Sequence, residues 1–169
     1  FDALCIDLQH GTVETNHLLP MLQAVSQTDT VPFVRVPWND PATIMRALDL
    51  GAYGIIVPLV NTAEEAARAV AACRYSPIGM RSVGPVRGLQ YGGGDYVAHA
   101  NDEIIVIAMI ETAEGLANLE AICATPGLDA VYIGPADLSL ALGLAPRADN
   151  PDPLHMETCD KIRDTAHRH

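Results

Sequence analysis

Basic residues are scarce: ten Lys and Arg stand against 21 Asp and Glu, for a formal net charge of −11. That balance argues against a nucleic-acid partner or an anionic membrane surface. A small anionic ligand still fits, because local charge can oppose the global sign. Lys161 is the only lysine, and it lies in the last helical stretch, so no Schiff-base lysine is available near a strand end. Aromatics make up 5% of the chain, which leaves Ala, Val, Ile and Leu to fill the core. No run of 18 or more apolar residues occurs, so no helical membrane span is expected. The four cysteines, Cys5, Cys73, Cys123 and Cys159, are widely spaced and form no C-x-x-C. This disfavours a disulfide frame and a cysteine metal site, and suits buried, reduced thiols in a cytoplasmic protein. There is no low-complexity segment and no second domain, and residues 1–169 read as one domain. Phe1 already stands inside a strand pattern, so the natural start is expected upstream.

What is present is an alternation of β-branched runs with Ala-rich stretches. Strands are expected at 3–7, 31–38, 53–60, 103–111 and 129–134. Helices are expected at 17–27, with Pro20 in the first turn, and from N-D-P (39–41) to the Gly51 stop. Further helices are expected at 62–75, 95–102, 113–125 and 153–169. Residues 76–94 form the one long irregular segment. Within it GMRSVGPVRG (79–88) reads as a surface loop or as a mobile lid with Arg81 and Arg87 as charge handles. Alternating strands and helices predict a parallel sheet, and near-continuous apolar strands suit one covered on both faces. An open doubly wound sheet and a (β/α)₈ barrel both fit, although a full barrel needs ~250 residues.

Ionisable residues gather where strands end. Asp7 and His10 follow the first strand, Arg35 ends the second, Glu111 ends the fourth, and Asp137 follows the fifth by a G-P-A turn. The C-terminal strand edge is where parallel α/β folds place their chemistry. Carboxylates on neighbouring strands, about 4.8 Å apart by sheet spacing, repel unless neutralised, and their hard oxygens suit Mg²⁺ or Mn²⁺. Helix capping is the plainer role for either acid. Arg35, in apolar V-R-V, needs an anion: Asp7 or Glu111 within the chain, or a ligand carboxylate or oxyanion. His10 is a candidate acid/base or a structural hydrogen-bonder. Asp49 could orient an imidazole or be a solvated helix-end acid. In IGPADLS (133–139), Gly134, Pro135 and Ala136 keep side chains away, so the N–H groups of Ala136 and Asp137 can face an anion; an ordinary strand-to-helix turn also fits.

The stretches D-x-Q-H-G, VPFVRVPWNDP, YGIIVPLVNTAEEA, RYSPIGMRSVG, MIET and YIGPADLS resemble, in order, the HpcH/HpaI family of class II 2-oxo-acid aldolases. The resemblance covers essentially the whole chain. It implies a (β/α)₈ TIM-barrel type of fold, here incomplete and corresponding to about strands two to six, in a homo-oligomer, usually a hexamer. It implies that Glu111 and Asp137 bind a divalent metal, Mg²⁺ or Mn²⁺ with Co²⁺ as a further candidate. Arg35 would contact the oxo-acid's carbonyl oxygen, and His10 would relay protons with Asp49 as its orienting acid. The turn at Gly134, Pro135, Ala136 and Asp137 would hold the substrate carboxylate. Many members carry Glu where this chain has Gln9 and Gln where it has Met109, and both differences bear on substrate preference.

The implied reaction is an aldol addition or cleavage joining pyruvate or hydroxypyruvate to an aldehyde through a metal-stabilised enolate. The base is His10, or a water that the ion activates. Two other readings stand beside it. One is an acyl-CoA lyase of the malyl-CoA type, which needs a basic groove for the CoA phosphates. The other is a non-catalytic barrel fragment, since five parallel strands leave two unpaired edges.

Overall fold

The computed structural model describes residues 1–169. The elements run β1 (Ala3–Asp7), α1 (Thr15–Val25), β2 (Val31–Arg35), α2 (Pro41–Asp49), β3 (Gly54–Val57), α3 (Ala63–Cys73), α4 (Val86–Gly92), α5 (Tyr96–Glu103), β4 (Ile105–Ile110), α6 (Ala113–Ala117), α7 (Leu119–Cys123), β5 (Ala130–Ile133), α8 (Pro135–Ala141) and α9 (Pro153–Ala166). Every strand pair is parallel and the sheet order is β1-β2-β3-β4-β5. A doubly wound sheet reverses its order at a switch point. This one never does, so the chain is an incomplete (β/α)₈ barrel.

The period of two along a strand divides the sheet into two faces. Ile6, Val34, Ile55, Val57, Val106, Ala108 and Ile110 point toward the helices and join one core with Leu22, Ile44, Leu48, Ile122 and Ile162. The inner face carries Cys5 opposite Phe33, Asp7 opposite Arg35, and Met109 opposite Tyr132. Helices pack on one face; on the other, Ile56 and Met109 of the central strands are buried, while Cys5 and Tyr132 on the edge strands are exposed, Tyr132 by 47%. All four thiols are free. Cys73 is buried as expected, and burial pushes it up to about 12; Cys5 is not.

Several helix starts follow from their caps. Asp40 Oδ2 accepts from the Thr43 N–H at 2.8 Å, with Pro41 at the first turn. Thr62 and Thr112 cap α3 and α6 in the same way. Other boundaries differ from expectation. A reciprocal cap between Glu14 and His17 starts α1 early, so Pro20 falls inside the helix rather than in its first turn. Strands β2 and β3 are shorter than their apolar runs, because the chain turns at Val36 and Pro58 toward the next helix. The segment 76–94 contains α4, and the single helix expected at 113–125 is broken at Asn118, whose Nδ2 donates to the Asn61 carbonyl at 2.8 Å.

Arg81 and Arg87 are anchors, not handles of a lid. Arg81 is 4% exposed; it donates to Asp49 Oδ1 at 2.9 Å and to Tyr96 Oη at 3.1 Å, and lies 4.5 Å over the Tyr75 ring. Arg87 donates to the Leu50 carbonyl at 2.7 Å and to Ser26 Oγ at 3.1 Å, closing helix ends that would otherwise leave carbonyls unpaired. No helix is long and apolar enough to cross a membrane.

Candidate active site

Asp7 and Arg35 are register partners at the C-terminal edge of β1 and β2. Arg35 Nε donates to Asp7 Oδ1 at 2.7 Å, and its Nη2 donates to Asp7 Oδ2. This bidentate grip holds Asp7 below the usual carboxylate range and raises Arg35 further. Of the anionic partners weighed for Arg35, Asp7 is the one present. The pair still leaves Nη1 over, with only the Met109 sulfur at 4.0 Å, a weak acceptor. Asp7 Oδ1 also accepts the Gln9 N–H at 3.0 Å and the His10 N–H at 3.5 Å. One carboxylate thus fixes both the arginine and the loop carrying His10.

Glu111 follows β4 on the same inner face, two residues past Met109, and is 3% exposed. Its Oε1 accepts the Leu59 N–H at 2.9 Å. Burial pushes its carboxyl up, the Leu59 bond pulls it back down, and the Asp137 charge raises it again; Arg35 and His10 act in the opposite sense. The charges that act on Glu111 are thus those of Asp137, Arg35 and His10, three of the expected site residues. Asp137 is not on β5; it lies exposed in the first turn of α8. Gly134 packs so closely on Glu111 that a Cβ there would overlap the carboxylate. The turn therefore needs glycine for access.

These residues fit a hard divalent cation. Glu111 Oε2 and the Asp137 carboxylate have no hydrogen-bond donor, and the glycine beside them leaves room. Two like charges that feel each other gain from a shared positive charge. No three His, Cys, Asp or Glu side chains converge, so the protein would supply two ligands and leave the other positions to water or substrate. Pro135 and Ala136 complete the turn between them, with Ala136 exposed.

Asp49 is the exception. It ends α2 and so lies at the N-terminal edge of the sheet, bonded to Arg81, whereas His10 follows the C-terminal end of β1. A helix running back from its strand carries its last residue to the far edge, so Asp49 does not orient His10 within this chain.

The sequence reading missed the support behind Glu111. Leu59 adopts φ +54°, a left-handed conformation unusual for a branched side chain, and this aims its N–H at the carboxylate. Asn61 locks that loop: its Nδ2 donates to the Leu59 carbonyl at 3.0 Å, its N–H donates to Glu65 Oε2 at 2.7 Å, and its Oδ1 accepts from Thr112 Oγ1. A polar Asn-Thr pair directly after V-P-L-V is the signal the sequence offers for it.

The unbroken parallel sheet order defines the α/β-barrel class of fold, with acids gathered at the C-terminal edge of its strands, and comparison with known proteins narrows it. Residues 1–168 match the HpcH/HpaI aldolase/citrate lyase family. The chain belongs to that family. It is 46% identical over 168 residues to a hydroxypyruvate/pyruvate aldolase of Rhizorhabdus wittichii, covering 99% of this chain and 66% of that protein. It is 43% identical over 154 residues to a 5-keto-4-deoxy-D-glucarate aldolase of Salmonella paratyphi A, covering 90% of this chain and 60% of that protein. Among solved structures, an HpcH/HpaI aldolase/citrate lyase family protein from Burkholderia cenocepacia superposes with a TM-score of 0.89 at 34% identity, over 99% of this chain and 68% of that one. The chain thus spans about two thirds or less of the length of these curated relatives.

Proposed function

We propose that these 169 residues form one partial-barrel domain carrying the metal and oxo-acid site of a class II aldolase. The enzyme would join pyruvate or hydroxypyruvate to an aldehyde, or cleave the product, in the cytoplasm and as a homo-oligomer, a hexamer by resemblance. The observation that carries this reading is Glu111: a buried carboxylate with one oxygen outside any hydrogen bond, on the inner face with Arg35 and packed against the Gly134 turn that leads to Asp137. Magnesium and manganese are the ions that two carboxylates and open positions suit best, with cobalt a further candidate.

Bound between Glu111 and Asp137, such an ion would supply Lewis-acid polarisation of the keto group. Arg35 Nη1, held still because Nε and Nη2 are committed to Asp7, donates to the keto oxygen and offsets charge as the enolate forms. The Ala136 and Asp137 N–H groups receive the oxo-acid carboxylate. His10, exposed at the rim, takes the C3 proton. The C3 electron pair then attacks the aldehyde carbon, and the resulting alkoxide recovers a proton from His10. Cleavage reverses these steps, His10 taking the proton of the C4 hydroxyl.

The acyl-CoA lyase reading loses ground on charge. Arg74, Arg81 and Arg87 donate to groups of the chain itself, and a net charge of −11 disfavours the basic groove that CoA phosphates need. The barrel-fragment reading is tested by gel filtration: β1 and β5 are open edges, and aggregation of these 169 residues alone would favour it. The aldolase reading is tested by aldol addition of pyruvate and hydroxypyruvate to small aldehydes by the full-length protein, with and without EDTA. Loss of turnover on chelation, restored by Mn²⁺ or Mg²⁺, is expected. Turnover indifferent to chelation overturns the reading.

A further inference from the structure

His155, in α9, is 5% exposed, and nothing in the mechanism above uses its ring. Its Nε2 lies 3.2 Å from the Pro135 carbonyl oxygen, and its Nδ1 lies 3.7 Å from Cys159 Sγ. A carbonyl only accepts, so Nε2 carries the hydrogen and Nδ1 is left to receive the Cys159 thiol. The same carbonyl accepts Ser139 Oγ at 2.7 Å, and Asn150 Nδ2 donates to Ser139 Oγ at 3.0 Å. The first residue of α8 is thus gripped from α9 and from the loop that follows α8.

The grip bears on Asp137, two residues further on. The Asp137 carboxylate is exposed and takes part in no hydrogen bond of its own, unlike Glu111, which Leu59 holds. Its place beside Glu111 is set only through the backbone of the Gly134–Pro135–Ala136 turn. Gly134 is the flexible joint of that turn, and it must stay pressed on Glu111. Pro135 has a fixed φ and no N–H, so its carbonyl is the handle by which packing can set the turn.

We propose that His155 is a positioning residue: its Nε2–H bond to the Pro135 carbonyl fixes the turn that sets the Asp137 carboxylate beside Glu111 to receive a divalent cation. The proposal rests on the reading of Glu111 and Asp137 as the metal ligands. Partners of this kind behind a ligand are worth roughly 10–100-fold in metal affinity, and here the coupling passes through backbone, so about tenfold is expected.

Calorimetric titration of the metal-free protein with Mn²⁺, for wild type, His155→Leu and His155→Gln, tests it, together with long-range ¹H–¹⁵N NMR of the wild-type imidazole. Expected are the Nε2–H tautomer, Mn²⁺ binding about tenfold weaker in His155→Leu, and recovery of most of the loss in His155→Gln, whose amide can donate to the same carbonyl. Wild-type Mn²⁺ affinity in His155→Leu, or a hydrogen on Nδ1 in place of Nε2, overturns the proposal; the NMR result holds even should the leucine variant fold poorly. Wild-type protein that takes up no Mn²⁺ overturns the ligand reading and the proposal with it. Normal uptake by wild type and by His155→Leu alike sinks the positioning role alone.

Discussion

Arg35–Asp7 and Arg81–Asp49 are one chemical pair placed at opposite edges of one sheet. Arg81 is enclosed, its guanidinium between Asp49, the Tyr96 hydroxyl and the Tyr75 ring. Arg35 is bound by Asp7 through two nitrogens, and its third meets only the Met109 sulfur at 4.0 Å. Its side chain is 22% exposed, against 0% for Arg81. A buried pair contributes rigidity once formed and costs much when broken; a half-open pair contributes little to stability and leaves an oriented cation, which the proposed function assigns to substrate. Position in the barrel, not residue type, separates an enclosed pair from a half-open one.

Four measurements would break or sharpen that contrast. The largest effect is expected from Arg35→Leu in the full-length protein: turnover falls by about 10²–10³, while the thermal midpoint moves little. A large loss of stability with modest loss of activity would make Arg35 an anchor after all. Next is Arg81→Leu, which strands Asp49 and is expected to destabilise by about 3 kcal/mol in denaturant unfolding, with turnover per folded molecule unchanged. Glu111→Gln should abolish Mn²⁺ uptake yet raise the thermal midpoint of the metal-free protein by a few degrees, because a buried charge goes while the Leu59 N–H keeps an acceptor.

The smallest effect is in pH dependence, where the two edge acids have opposite signs. Arg35 lowers Asp7, so its stabilisation is present above the unfolded value of about 3.9 and is lost as pH falls through the lower folded value. Burial raises Glu111, so its contribution is full below the unfolded value of about 4.3 and is lost as pH rises through the higher folded value. Without metal, the midpoint gained in Glu111→Gln should therefore shrink as pH is lowered toward 4, and that of Asp7→Asn, measured as a loss, should shrink only below pH 4. A gain in Glu111→Gln that is constant from pH 4 to 8 would show that burial does not perturb this carboxylate.

Much of the arrangement was legible residue by residue. N-D-P at 39–41 announced its helix because caps are local. Asp7, Arg35 and Glu111 announced themselves because charges are conspicuous at the end of apolar runs. Asp49 misled because a sequence says that an acid ends a helix but not which sheet edge that helix end reaches. His155 was invisible because its partner is a backbone carbonyl 20 residues away, and a carbonyl has no side chain to read. Leu59 was hidden for a related reason: its contribution is an N–H aimed by a left-handed φ, which no leucine advertises.

By itself the sequence determined the alternation of strands and helices and the placing of acids, an arginine and a histidine at strand ends, since both follow from local periodicity and local polarity. Tertiary structure alone decided that the strands run in unbroken order, that Asp7 rather than Glu111 claims Arg35, and that Asp49 serves Arg81. The two pairings join residues 28 and 32 positions apart, and only the closing of the sheet against its helices fixes which of several available partners each charge meets.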